Sequence, residues 1–325
     1  MEDHLLTIKN ITKKFGDKEA LKGVSLYFKK GEVVSLLGAN GAGKTTTMRI
    51  LCTLISPSSG NVSILNYNLL EYQNEIRNNI GYVSQKGGLE LRSTGKENLI
   101  LQARLYGMSI RDSEKHADEL IDMLDLKSFA YRKAKTYSGG QKRLFDLATG
   151  IIHKPKILFL DEPTTGLDPQ SRSHVWKEVK KLNAAGTTII LTTHYLEEAD
   201  ALCHRVAIIN LGKIVALDKP AQLKRDIIAG DIITLTFENI NAQQSANKIL
   251  SGQLFTKEIQ TVDTRLHLYV DEGDRTLPVV MNLLHKNNLY IQTASLSRPT
   301  LDDVFLKLTG RKLIESETIH KKDVQ

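Results

Sequence analysis

Residues 38–46 read Gly-Ala-Asn-Gly-Ala-Gly-Lys-Thr-Thr, a spacing suited to holding a phosphate. Gly38, Gly43, Lys44 and Thr45 occupy the fixed positions of a Gly, four residues, Gly-Lys-Ser/Thr loop. Glycines let the backbone turn tightly and aim its N–H groups at an anion. A helix starting directly after the loop adds a favourable dipole. In such a loop Lys44 reaches the β- and γ-phosphates of a nucleotide and the Thr45 hydroxyl ligates Mg²⁺. Asn40, Gly41, Ala42 and Thr46 complete the cradle.

A second constellation, Ile157-Leu-Phe-Leu-Asp161-Glu162, is an apolar run that ends in two carboxylates. A buried strand delivers Asp161 to the C-terminal edge of a parallel sheet, where it can hold the Mg²⁺ shell. Glu162 can then orient or deprotonate a water for attack on the γ-phosphate. A third, Ser138-Gly-Gly-Gln141, precedes an amphipathic stretch from Gln141 to Gly150 and reads as a second anion-binding helix start. Alone, it reads as an N-capped helix after a Gly-Gly turn. Beside a phosphate loop it says more. One nucleotide does not need two cradles from one chain, but two chains facing head to tail would use both, with Ser138, Gly140 and Gln141 acting across the pair.

These groups need elements to hold them. Glu32–Leu37 is a short apolar run fit for a buried strand, and Thr46–Leu54 continues as a helix. Before it, Leu6–Ile11 alternates and Val24–Phe28 follows a turn expected at Gly23, which predicts antiparallel strands. Strands are further expected at Gly81–Ser84, Lys156–Leu160 and Thr187–Thr192, with helices over much of 94–130 (Thr94 as cap, Glu97 three residues on) and over His174–Leu182. Such alternation predicts a parallel sheet covered by helices.

The pattern changes near Lys219-Pro220, where Ala221–Ile228 reads as a short linking helix. Beyond it come strand Ile232–Phe237, helix Ala242–Leu250, strands Glu258–Val262 and Arg265–Val270, helix Leu277–Leu284 and strand Tyr290–Leu296. This βαββαβ order predicts a small ferredoxin-like α+β domain. A last helix, Thr300–Leu308, would be capped by Thr300 with Asp302 and Asp303 in its first turn. The expected organisation is 1–220, with a helical subdomain at about 86–140, then 221–310, then a polar, disordered tail at 311–325.

Composition narrows the class. The chain has 325 residues, 41% hydrophobic and 25% charged, the balance of a soluble globular protein. No apolar stretch approaches the ~18 residues of a spanning helix, and Met1-Glu-Asp-His does not begin a secretory signal. Cys52 and Cys203 have no metal-binding spacing and read as buried thiols in a reducing compartment. Net charge is +7, yet residues 221–325 carry 13 basic and 13 acidic side chains, so the whole excess lies in the first 220. Nucleotide binding and an anionic membrane surface both suit that excess. Without a long Lys/Arg run or basic–aromatic interleaving, no nucleic-acid partner is expected.

With these motifs in this order, residues 4–220 resemble the ATP-binding subunit of an ABC transporter. The resemblance implies that Phe15 in Lys13-Lys-Phe-Gly stacks on adenine. Gln85 in Gly81-Tyr-Val-Ser-Gln then senses Mg²⁺ and the transmembrane partner. Tyr137-Ser-Gly-Gly-Gln is similar to the family's signature, Asp161-Glu162 to its second Walker motif, and Gly166-Leu-Asp168-Pro to the loop crossing the dimer interface. His194 in Leu191-Thr-Thr-His is similar to the histidine that contacts the γ-phosphate. The implied catalytic set is Glu162, His194, Gln85 and Lys44, with Thr45, Gln85 and Asp161 on Mg²⁺.

Tyr137, Thr94-Gly-Lys-Glu-Asn-Leu and Pro299-Thr-Leu-Asp-Asp-Val-Phe-Leu resemble the drug-resistance branch, similar to daunorubicin-type exporter ATPases. Ser84, where Pro is frequent, and Leu89-Glu-Leu-Arg-Ser depart from that branch. The expectation is an α/β phosphate-loop domain (parallel core, antiparallel β subdomain, helical subdomain) plus the accessory domain. It would work as a homodimer on ATP and Mg²⁺ at the cytoplasmic face of the membrane, powering a separate multi-span permease that exports a drug-like or lipophilic compound. The rival is a soluble ATPase of the same type acting on ribosomes or nucleic acid. A phosphate-loop GTPase or kinase is disfavoured, because the chain lacks an Asn-Lys-x-Asp base-reading motif.

Overall fold

The computed structural model describes residues 4–227 and 230–310. They fall into two compact units, with the division in sequence between Lys219 and Pro220. In the first unit, β1 (His4–Phe15) and β2 (Lys18–Lys29) pair antiparallel. The hairpin turn lies at Gly16-Asp17, not at Gly23. Gly23 is instead part of a bulge within β2. It sits at φ +86° against Asn10, whose Oδ1 would lie 2.5 Å from any Cβ placed there, and the register shifts at that point.

β3 (Val33–Leu37) is buried throughout and leads through the phosphate loop into α1 (Lys44–Leu51). β4 (Ser59–Ile64) and β5 (Tyr67–Asn68) complete an antiparallel sheet of order β2-β1-β4-β5. After α2 (Gln73–Asn79) comes β6 (Ile80–Val83). The expected 94–130 region holds two helices, α3 (Gly95–Leu105) and α4 (Ile110–Met123). α5 (Gly139–Ile151), β7 (Ile157–Asp161), α6 (Pro169–Ala184), β8 (Thr188–Thr193), α7 (Leu196–Leu202), β9 (Arg205–Asn210) and β10 (Lys213–Asp218) follow.

The central sheet runs β10-β9-β3-β8-β7-β6, parallel everywhere except at the β9–β10 hairpin. β3, β7 and β8 are buried along their whole length because both faces are covered, whereas the edge strand β10 is partly exposed. Val34, Ile190 and Phe159 join one core, shared with Leu6, Ile8 and Leu26 of the antiparallel sheet. Their neighbours Val33, Ile189 and Leu158 join the other, shared with Leu144 and Leu147 of α5. Cys52 is buried and Cys203 half-buried; both are free thiols. Burial pushes the Cys203 thiol up to about 12.

In the helical part, Thr94 caps α3 in a reciprocal box with Glu97. The aromatic Tyr137 has a physical reason here. Its ring stacks on Phe145 at 5.3 Å and meets Phe129 edge-on, while its hydroxyl accepts from the Gly95 N–H at 3.0 Å and donates to the Phe129 carbonyl at 2.7 Å. Gly95 must lack a side chain, since a Cβ would lie 2.3 Å from the Phe145 ring.

The second unit opens with α8 (Pro220–Ile227), which starts one residue before the linking helix expected and belongs to this unit. It continues with β11 (Asp231–Thr236), α9 (Ile240–Ser251), β12 (Glu258–Val262), β13 (Arg265–Val270), α10 (Gly273–Lys286), β14 (Thr293–Ser297) and α11 (Leu301–Thr309). The antiparallel order β12-β13-β11-β14 is that of a split βαβ, ferredoxin-like sheet. The last strand starts at Thr293, three residues later than expected, because β11 ends at its partner Thr236. α10 reaches back to Gly273 and tolerates Pro278 within it. Ile233, Leu235, Leu268 and Leu284 form its fully buried core. The expected polar tail and residue 228 of the expected linking helix lie outside the described residues.

Tyr137→Phe is expected to destabilise the protein by about 1–3 kcal/mol, because it strands the buried Gly95 N–H, whereas the Phe129 carbonyl keeps the Arg132 N–H at 3.0 Å. Urea unfolding followed by circular dichroism checks this.

Candidate nucleotide site

The site lies where neighbouring strands end. β3, β8, β7 and β6 stand side by side, and their C-terminal ends release Gly38, His194, Asp161-Glu162 and Gln85 at one sheet edge. The loop after β3 is shaped by its glycines. Gly43 caps α1 at φ +113°, and a Cβ there would lie 2.7 Å from Leu21. At Gly38 a Cβ would meet the Ile209 carbonyl at 2.4 Å.

Lys44 is only 4% exposed. Its ammonium bridges the loop by donating to the carbonyls of Gly38 (2.6 Å) and Ala39 (3.1 Å). Phe15, half-exposed at the end of β1, lines the same cleft with Asn40, Gly41, Gly43, Lys44, Thr45, Thr46 and Glu162. The Lys13 ammonium lies 5.1 Å from the Phe15 ring centroid. Ala42 is buried behind the loop.

Asp161 ends β7 opposite Thr192 of β8. The Thr192 hydroxyl donates to Asp161 Oδ1 at 2.6 Å, and the same carboxylate oxygen is 3.4 Å from the Thr45 hydroxyl. Thr192 also accepts from the Glu162 N–H, through its hydroxyl at 3.0 Å and its carbonyl at 3.2 Å. Those bonds hold Glu162 at φ +47°, a left-handed conformation unusual for a residue with a side chain.

The Glu162 carboxylate gathers four predicted or neighbouring groups. Oε2 accepts from the Gln85 amide at 2.8 Å and the Thr165 hydroxyl at 3.1 Å, and lies 3.4 Å from His194 Nδ1. Oε1 is 3.8 Å from the Lys44 ammonium. Burial pushes this carboxyl's pKa up, but His194, Lys44 and Thr165 outweigh burial and hold it below the ordinary value. It is therefore a carboxylate at neutral pH, ready to accept a proton.

Ser138, Gly140 and Gln141 stand apart from this cleft. Ser138 caps α5: its hydroxyl accepts from the Gln141 N–H at 3.2 Å, and its own N–H donates to the Gln141 side chain at 3.1 Å. A Cβ on Gly140 would meet Ser171 Oγ at 2.5 Å, so the helix start packs tightly on α6. Asp168 caps α6 by accepting from the Ser171 N–H at 2.9 Å and hydroxyl at 2.6 Å. Sequence reasoning passed over Thr192, Thr165 and Glu198. Glu198 is fully buried and accepts from Thr164 (2.8 Å) and Trp176 (3.0 Å), joining the segment after Glu162 to α6. Only the Thr-Thr before His194 hinted at any of these.

A phosphate loop beside a carboxylate held ionised by its neighbours is the site of a nucleoside triphosphate hydrolase, and the separate capped Ser-Gly-Gly start is the mark of the ATP-binding cassettes. A family model described as ABC transporter matches residues 21–165, and one described as ATP-binding protein DrrA1-3-like, C-terminal domain, matches residues 219–309. The chain is 37% identical over 310 residues to daunorubicin resistance ATP-binding protein DrrA3 of Streptomyces coeruleorubidus, covering 95% of this chain and 97% of that one. It is 35% identical to the Nod factor export ATP-binding protein I of Burkholderia lata over 309 residues, covering 95% and 98%. A solved dimer of the ATP-binding cassette MJ0796 in a post-hydrolysis state with ADP and phosphate superposes with a TM-score of 0.60. It is 32% identical and covers 66% of this chain and 98% of that one. The chain belongs to the ATP-binding subunits of the ABC transporter family and is an ATPase.

In His194→Ala, burial is less strongly opposed, so the Glu162 carboxyl is expected to titrate higher than in the native protein. A depressed acid contributes stability above its ordinary pKa and loses it as pH falls through the folded value. The carboxyl ¹³C shift followed from roughly pH 7 to 3 reads the change directly.

Proposed function

We propose that two copies of this chain close head to tail around two ATP molecules. Closure drives a separate multi-span permease, at the cytoplasmic face of the membrane, to export a lipophilic or drug-like compound. The observation that carries this is the division of labour within one chain. Glu162, Gln85, His194 and Lys44 converge, whereas Ser138 and Gly140 form a second helix start outside that cleft. A partner copy supplies the missing contacts; the solved cassette to which the chain is similar is itself dimeric.

Within one site the loop N–H groups and Lys44 bind the β- and γ-phosphates, and Phe15 offers the face on which adenine stacks. Glu162 takes a proton from the attacking water; Gln85, Thr165 and His194 fix its carboxylate so that little reorganisation is needed. His194 also contacts the γ-phosphate, as does Ser138 of the opposed copy. These contacts exist only with the triphosphate, so ATP favours the closed pair and hydrolysis releases it. Two hard oxygen donors, Thr45 Oγ1 and Asp161 Oδ1, lie 3.4 Å apart, and the family resemblance adds the Gln85 amide oxygen as a third. That donor set fits Mg²⁺, which keeps phosphate and water ligands, and bound Mg²⁺ would neutralise phosphate charge. Among the described residues no helix is long and apolar enough to cross a membrane, so the conduit is assigned to another subunit.

The names of the relatives support export over the ribosomal or nucleic-acid reading. Affinity purification of the tagged protein from detergent-solubilised membranes is expected to recover a multi-span membrane protein. Recovery of ribosomes or nucleic-acid factors alone would overturn the transporter reading. Glu162→Gln is expected to bind ATP normally, lose about 10²- to 10⁴-fold in turnover, and accumulate as a dimer with ATP. Steady-state hydrolysis and light scattering measure both; native turnover in this variant removes Glu162 from the role of base.

A further inference from the structure

α5 does two things besides presenting Ser138. Arg143, five residues into the helix, is 7% exposed, a costly place for a charge where Leu or Met would fit. Its guanidinium spends its donors on three backbone carbonyls: Nε on Pro163 at 2.6 Å, Nη1 on Ser84 at 2.7 Å and Nη2 on Asp161 at 3.0 Å. Asp161 and Pro163 flank Glu162; Ser84 immediately precedes Gln85. Glu162 and Gln85 are themselves joined at 2.8 Å.

One turn further on, Asp146 accepts from the Gly88 N–H at 2.9 Å, and Gly87 packs so closely that a Cβ would lie 2.6 Å from that carboxylate. The loop carrying Gln85 is thus held at both ends by α5, at Ser84 through Arg143 and at Gly88 through Asp146.

We propose that Arg143 is a positioning residue. It fixes the backbone on both sides of Glu162 and in front of Gln85, tying the helix start that serves the partner's nucleotide to the hydrolytic site of its own chain. A fork of planar donors suits this task, because three diverging carbonyls need fixed directions that an ammonium cannot supply together. The proposal rests on Glu162 acting as the base.

The test uses the full-length chain. Arg143→Met keeps the apolar stem and removes the donors, and Arg143→Lys keeps the charge without the fork. Both are expected to hold KM for ATP within about threefold and to lower kcat per folded molecule by about 10- to 100-fold, as loss of alignment does. Lysine is expected to recover only part of the loss. Placed on Gln85→Ala, the same Arg143 substitutions should cost clearly less than on the native background, because they act through that residue. A purely structural role would instead lower the melting temperature with native kcat in the folded fraction and additive effects, which overturns the proposal. If Arg143→Met fails to fold, Arg143→Lys decides alone, native kcat counting against the proposal and reduced kcat at unchanged KM for it. The two readings fail separately. Native kcat in Arg143→Lys beside an inactive Glu162→Gln removes only the Arg143 role, whereas an active Glu162→Gln removes the base assignment.

Discussion

A buried ammonium and a buried carboxylate 3.8 Å apart set the terms for this molecule. Lys44 is 4% exposed and Glu162 8%. Neither charge is cheap to take from water, and each is kept only because other groups satisfy it. Two loop carbonyls receive the Lys44 protons, and Gln85, Thr165 and His194 surround the Glu162 carboxylate. The arrangement is costly in a bare protein and well suited to a polyanion, which offers Lys44 a stronger partner.

Such a site needs a rigid floor. The parallel sheet supplies it by ending β3, β8, β7 and β6 at one edge, so four loops distant in sequence start side by side. Thr192 shows how the strands cooperate. From β8 it bonds both the carboxylate of Asp161 and the backbone of Glu162, holding the latter in a left-handed conformation. The two cores on either face keep these strands from shifting.

The helical part shares an apolar core with this floor, and polar contacts at a few points add direction to it. Glu198 links the segment after Glu162 to α6, and α5 clasps the Gln85 loop at Ser84 and Gly88. A displacement of α5 would therefore be felt at the γ-phosphate position.

Much was legible in the sequence because it was local. The phosphate loop, the acidic end of β7, the Ser138 cap and the βαββαβ order are each written in adjacent residues whose types have few other uses. Gly23 misled, because a left-handed glycine marks a turn and a bulge equally well, and only pairing with Asn10 separates them. Tyr137 and Gly95 were visible as a family trait, but their mutual contact, 42 residues apart, had no local sign. Arg143 lies within the amphipathic stretch from Gln141 to Gly150, and nothing local marks the three carbonyls its guanidinium reaches. Which residues are suited to hold a phosphate was determined by local spacing. Which ones touch Glu162 was decided by strand order and core packing, since contacts between segments far apart in sequence exist only once the sheet is assembled.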